Sequence, residues 1–259
     1  MVSQTILALQ TDIVWENLDA NHRTWERLLV QAQPEPGSIV VLPEMAASGF
    51  SMNLEATAEE SPSASESVCK RLAVHWKVHL VCGLVQKTTS GLGYNQSVVF
   101  GPDGLESSRY TKMQLFTLGG EANVHIPGKS TVITEINGIK VGLFVCYDLR
   151  FPELFRESAR QGAELFIVIA CWPSKRADHW VTLLRARAIE NQAWVVGVNR
   201  AGTDPNYTYP GKSLIVDCHG VVQADAGSLE GSISSRMEIE ELRQWRRDFP
   251  ALLDRRLDH

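Results

Sequence analysis

No pair of cysteines spaced as Cys-x-x-Cys occurs in the 259 residues, and the five cysteines, Cys69, Cys82, Cys146, Cys171 and Cys218, are odd in number with no histidine cluster beside them. Neither a disulfide framework nor a structural zinc site is indicated, which leaves a thiol free for chemistry. No apolar run approaches the roughly 20 residues that cross a bilayer. The longest, 165–172, is bounded by Glu164 and Pro173 and reads as a buried strand. There is no basic excess: with 44% hydrophobic and 21% charged residues and a net charge of -5, a general affinity for nucleic acid or an anionic membrane is not expected, and small molecules are the expected partners. The first residues, 1–11, lack the basic start, apolar run and small-residue cleavage site of a secretory signal, so a cytoplasmic protein is expected. No low-complexity linker, charge run or repeat of fixed period divides the chain, and the length suits one large α/β domain over 1–259.

What is present is a recurrence of short apolar, β-branched runs at 5–9, 39–42, 80–85, 98–100, 141–146, 165–170, 194–198 and 213–216, which predict strands of buried sheets. Helical patterns lie between some of them, at 14–31, 63–77, 152–162 and 178–193. Gly101-Pro-Asp-Gly104 and Asn137-Gly138 are turn signals between extended segments. The polar stretch 51–67 predicts a surface loop leading into a helix.

Two of these strands end on residues able to do chemistry. The run 141–146 closes on Cys146, and Tyr-Asp-Leu-Arg-Phe-Pro152 follows, with Pro152 suited to the first turn of a helix. Such a strand-to-helix elbow exposes a thiol at the carboxyl edge of a sheet, although a cysteine there also serves simply as a small apolar residue. The run 39–42 passes through Pro43 into Glu44, a carboxylate either solvated at a strand end or desolvated and fit for general acid–base work. Lys112 stands in an extended stretch among large neighbours, where it is a surface residue or a fixed positive charge for an oxyanion; Glu121 follows a glycine turn. Asp148 and Arg150 read as a local ion pair fixing the elbow, and Cys171, at another strand end, as packing.

Pro43-Glu44, Tyr110-x-Lys112, Glu121 and Cys146-Tyr-Asp-Leu-Arg-Phe-Pro-Glu stand in the order and approximate spacing of the nitrilase superfamily, the carbon–nitrogen hydrolases, which the chain resembles over nearly its whole length. Arg185-Ala-Arg-Ala-Ile-Glu-Asn-Gln192 and Asn199-Arg200-Ala-Gly202 extend the match. The resemblance implies a four-layer α-β-β-α sandwich, catalytic residues Glu44, Lys112, Cys146 and Glu121, no metal or organic cofactor, and a homodimer or larger homo-oligomer with a C-terminal arm over 238–259.

The chemistry so implied is acyl transfer through a thioester on Cys146, attacking after Glu44 takes its proton or as a thiolate paired with Lys112, with the backbone N–H of Tyr147 joining Lys112 at the oxyanion. Lys112-Met-Gln-Leu-Phe116 and the stretch from Cys171 to Trp180 are most similar to the omega-amidases, which act on short α-keto acid amides such as α-ketoglutaramate and α-ketosuccinamate. Such a substrate carries a carboxylate, for which Arg176 is the candidate clamp and Lys175 the alternative; Phe50, Phe116 and Trp172 are candidate pocket walls. A nitrile, carbamoyl or broader aliphatic amide hydrolase would use the same residues. A non-catalytic binding protein and a cysteine redox sensor are the readings outside this class.

Overall fold

The computed structural model describes residues 3–256, so the first two and last three residues of the expected 1–259 domain, including the end of the expected arm, lie outside it. In chain order the strands are β1 (Ser3–Gln10), β2 (Ile39–Val41), β3 (His79–Lys87), β4 (Gly93–Phe100), β5 (Glu106–Thr111), β6 (Ile133–Ile136), β7 (Ile139–Val145), β8 (Leu165–Ala170), β9 (Trp194–Asn199), β10 (Ala201–Thr203), β11 (Thr208–Pro210), β12 (Leu214–Val216), β13 (Val222–Asp225) and β14 (Gly231–Glu238). The helices are α1 (Leu18–Ala32), α2 (Leu54–Thr57), α3 (Ala64–Trp76), α4 (Pro152–Arg160), α5 (Ala177–Asn191) and α6 (Ile239–Asp248). One six-stranded sheet has the order β14-β1-β2-β3-β4-β5, the other β13-β12-β9-β8-β7-β6. In each, three central strands are parallel (β1, β2, β3 and β7, β8, β9) and the outer ones antiparallel.

Residue alternation sorts the two faces. Along β1, Ile6 and Ala8 belong to the core shared with the second sheet, whereas Leu7 and Leu9 pack with Trp25, Leu28 and Leu29 of α1 and with Leu72 and Ala73 of α3. The second sheet is covered on its outer side by α4 and α5, through Leu154, Phe155, Trp180, Leu184 and Ala188. The result is the four-layer sandwich expected, and burial on both faces explains why the central strands read as unbroken apolar runs. α6 adds Ile239 and Leu242 to the core, and its Arg243 pairs with Glu164 at 2.7 Å, so the described part of the arm is bound down along the second half.

Some boundaries differ from those expected. α1 begins at Leu18 and not at 14, because the Asn21 side chain occupies both backbone groups of Val14, and the Asn17 side chain caps the helix by accepting from the Ala20 N–H. The stretch 51–67 forms the single turn of α2 before Ser63 opens α3 with a capping box to Glu66. Strands β13 and β14 escape the apolar-run criterion because one or both of their faces are solvated.

The carboxyl end of β2 is placed by its neighbour. Beyond Val41 the chain stays alongside β3, with Leu42 N–H donating to Val81 O at 2.8 Å and Ala46 N–H to Gly83 O at 2.9 Å. Gly83 has no room for a side chain: a Cβ there would lie 2.3 Å from Pro43 O and 2.6 Å from Glu44 Cα, both backbone. Gly83→Ala is expected to lower the unfolding free energy by about 1–3 kcal/mol, because backbone and not a flexible side-chain tip must yield; the midpoint of urea denaturation checks it.

Candidate active site

Glu44 follows β2, Lys112 follows β5, Glu121 opens a 3₁₀ turn at Glu121–Asn123, and Cys146 follows β7. The sandwich brings the first three into contact. Lys112 Nζ lies 2.8 Å from Glu44 Oε1 and 2.9 Å from Glu121 Oε2, and all three side chains are wholly buried. Glu44 Oε2 accepts from the backbone N–H of Cys171 at the end of β8 (2.8 Å), which ties the first sheet to the second at the site. Glu121 also accepts from the Phe116 N–H at 2.7 Å.

These contacts decide the charge states. Burial by itself would drive the Lys112 ammonium toward neutrality, but the charges of Glu121 and then Glu44 outweigh it and hold the lysine well above its ordinary range. Burial pushes Glu121 up, while the Lys112 charge and the Phe116 and Asn95 donors pull it down further, leaving it below the usual carboxylate range. The Cys146 thiol is pushed well up, first by burial and then by the Glu44 charge, with Lys112 opposing. A thiol so placed is protonated at neutral pH and requires a base.

Cys146 takes up a left-handed backbone conformation (φ +48°), and so does Met45 beside Glu44 (φ +43°). Neither is glycine, so local strain is held at both elbows by the surrounding packing. The 3₁₀ turn Cys146–Arg150 carries Tyr147 in its first turn, where leading N–H groups have no partner within the turn. Asp148 is buried and accepts from Tyr110 Oη, Val145 N–H and Gln114 N–H at 2.8 to 2.9 Å; burial nonetheless pushes its carboxyl up to about 6.

The expected Asp148–Arg150 ion pair is therefore absent. Asp148 is consumed by those three donors, and Arg150 turns to the other side, with its guanidinium 4.7 Å from the Trp172 ring centroid and 3.2 Å from His179 Nδ1. There it lines a small, partly open cavity together with Cys146, Cys171, Phe50, Phe116, Tyr147, Trp172 and Arg176. Arg176 stacks on Phe116 at 5.3 Å, and neither arginine has a carboxylate partner among the described residues. Lys175 is exposed and does not line the cavity.

Three contributors were not visible from sequence motifs: Asn95, which bridges Glu44 and Glu121; Arg150; and Tyr207, which closes the cavity from the loop between β10 and β11. The one signal for Asn95 is a polar run, Asn95-Gln-Ser97, inside a strand that is otherwise apolar. Asn95, Gln96 and Ser97 are all buried, whereas Arg150 and Tyr207 are half-buried.

Lys112→Met is expected to lose about 3–5 kcal/mol of unfolding free energy at neutral pH, since it leaves two buried carboxylates uncompensated. Glu121 stabilises the fold where it is ionised in both states, above its unfolded value of about 4.3, and that contribution is lost as pH falls through the lower folded value. Thermal unfolding followed from pH 6 down to 3, on the order of that window, checks the sign: Glu121→Gln flattens the acid-side loss of stability.

The carbon-nitrogen hydrolase family model matches residues 5–247. The omega-amidase YafV of Yersinia enterocolitica is 38% identical, over 98% of this chain and 97% of its own length. The 2-oxoglutaramate amidase of Bacillus subtilis is 33% identical, over 98% of each. Among solved structures, a CN-hydrolase superfamily protein of Xanthomonas campestris, determined with an arsenic adduct in its active site, superposes with a TM-score of 0.92 at 31% identity, covering 99% of this chain and 98% of that one. In sequence and in fold, the chain belongs to the carbon-nitrogen hydrolase family.

Proposed function

We propose that the chain is a cysteine-dependent amidase that releases ammonia from the terminal amide of short 2-oxo acid amides, with Cys146 as nucleophile, Glu44 as base and acid, and Lys112 and Tyr147 as oxyanion donors. The observation that carries it is the pair of guanidiniums, Arg150 and Arg176, lining the same cavity as Cys146 with no carboxylate of the described chain to pair with. A ligand carrying an amide at one end and a carboxylate at the other matches that polarity. The relatives named omega-amidase and 2-oxoglutaramate amidase support the reading.

The raised thiol favours one of the two possible starts. Glu44 takes the Cys146 proton as sulfur attacks the amide carbon, and the carbonyl oxygen becomes an oxyanion. Lys112 has three N–H bonds: one serves Glu44 and one is shared between the two oxygens of Glu121, so that the third turns to the oxyanion, beside the Tyr147 N–H. One such donor is worth roughly 3–4 kcal/mol of barrier. Glu44 then returns the proton to the departing nitrogen, the C–N bond breaks, and ammonia leaves a thioester. Water attacks the thioester with Glu44 again accepting a proton, the carboxylic acid departs, and the proton goes back to Cys146.

Ammonia release from α-ketoglutaramate, glutamine, a simple nitrile and an N-carbamoyl amino acid tests the substrate class. The keto acid amide is expected to be preferred, and equal rates on all four would overturn the proposal. Cys146→Ala should fold and release none. Arg150→Met and Arg176→Met should each raise KM for the keto acid amide by about 10- to 100-fold, the worth of a charge-assisted hydrogen bond, with little effect on a neutral amide.

A further inference from the structure

Asn95 is the third residue of β4, fixed between β3, where it faces Val85, and Lys112, just after β5. Its side chain is wholly buried. Nδ2 donates to Glu44 Oε1 at 2.7 Å and to Glu121 Oε1 at 2.8 Å, and Lys112 Nζ reaches the same two oxygens at 2.8 and 3.1 Å. Two nitrogens and two carboxylate oxygens thus alternate in a closed ring. The backbone carbonyl of Asn95 accepts from the Lys112 N–H at 2.9 Å, so one residue holds both the ends and the root of the cluster.

The other side-chain atom argues that this arrangement is not a requirement of folding. Asn95 Oδ1 is buried with no hydrogen-bond partner. An orphaned carbonyl is destabilising, and an apolar residue of similar volume would avoid it. The amide cannot turn over to relieve the defect, because Oδ1 would then face two carboxylate oxygens. What the orientation provides is two N–H bonds aimed at two carboxylates that share one lysine. Two negative charges against one positive leave a buried excess, and like charges at such a distance favour capture of a proton. A neutral amide counters this without adding a second cation.

We propose that Asn95 is a positioning residue of the hydrolase reaction, holding the Glu44 and Glu121 carboxylates as an ionised, fixed pair so that Glu44 stands ready to accept the Cys146 proton. The inference rests on the reading of Glu44 as base to Cys146. Besides Lys112, the groups facing the pair are Cys146 after β7, Cys171 after β8, and His125, whose ring packs on Gly93, two residues before Asn95 on β4. Burial lowers the His125 pKa from its ordinary value, which favours the neutral ring.

Asn95→Leu fills the site without donors, and Asn95→Asp keeps the shape but donates only when protonated. For Asn95→Leu, kcat is expected to fall about 10- to 100-fold with KM nearly unchanged, and the acid limb of the pH profile to move up by about one to two units, as loss of a hydrogen bond to charge implies. Asn95→Asp is expected to lose activity as pH rises, where the parent gains it. The same limb is read without any substrate by the pH dependence of Cys146 alkylation by iodoacetamide, followed by intact mass, so a wrong amide assignment does not mask the answer. A folded Asn95→Leu protein with parental kcat and an unshifted alkylation profile would refute the proposal, as would a loss confined to KM. Should the leucine variant not fold, a parental profile for Asn95→Asp refutes it equally.

Discussion

A lysine ammonium with no exposed surface has to be compensated entirely from within the fold, and Lys112 is compensated by two carboxylates that come from different parts of the chain. Glu44 arrives on the extension of β2, Glu121 on a 3₁₀ turn, and the lysine itself at the end of β5. Removing the lysine leaves two unpaired buried carboxylates, which is far costlier than the net worth of the pairs. The first sheet, the loop after β5 and the carboxyl edge of the second sheet are thereby coupled, and the Cys171 N–H closes the coupling across the two sheets.

That constraint also sets the chemistry at Cys146. The thiol sits in the field of a cluster carrying more negative than positive charge, within an apolar environment, and is held as thiol. In the proposed reaction such a thiol differs from one stored as a thiolate beside an imidazole: its proton would leave at the moment of attack, toward a carboxylate whose orientation is already set. The left-handed backbone at Cys146 and Met45 serves that geometry, turning both chains sharply at the ends of their strands so that the side chains meet.

Half of the residues lining the cavity above the thiol are aromatic, and its two cations lie over aromatic rings, Arg150 4.7 Å from the Trp172 centroid and Arg176 5.3 Å from that of Phe116. A cation–π contact holds a guanidinium in place without using its N–H bonds, and apart from the one Arg150 turns toward His179 Nδ1 they remain available to a ligand. Arg150 is free for this only because Asp148 is satisfied elsewhere, by Tyr110, Val145 and Gln114. The elbow is thus braced by Asp148 from below and presents Arg150 above.

Much of this was legible in the chain itself. Apolar runs that end on Pro43-Glu44 and on Cys146 mark strands whose chemistry lies at their carboxyl ends, because buried parallel strands must be apolar throughout and any polar residue has to wait for the edge. The polar strand β14, with one face in solvent, and the start of α1, set by the Asn21 side chain, were not legible, since neither depends on a run of like residues. The sequence by itself determined the layered α/β class, and its resemblance to the nitrilase superfamily singled out the ordered set Glu44, Lys112, Glu121 and Cys146. Only the tertiary structure decided that Asn95 joins the two carboxylates and that Arg150 leaves Asp148 for the cavity, because a hydrogen bond is short and directional, and its partners are chosen by which strand ends the packing of two sheets brings together.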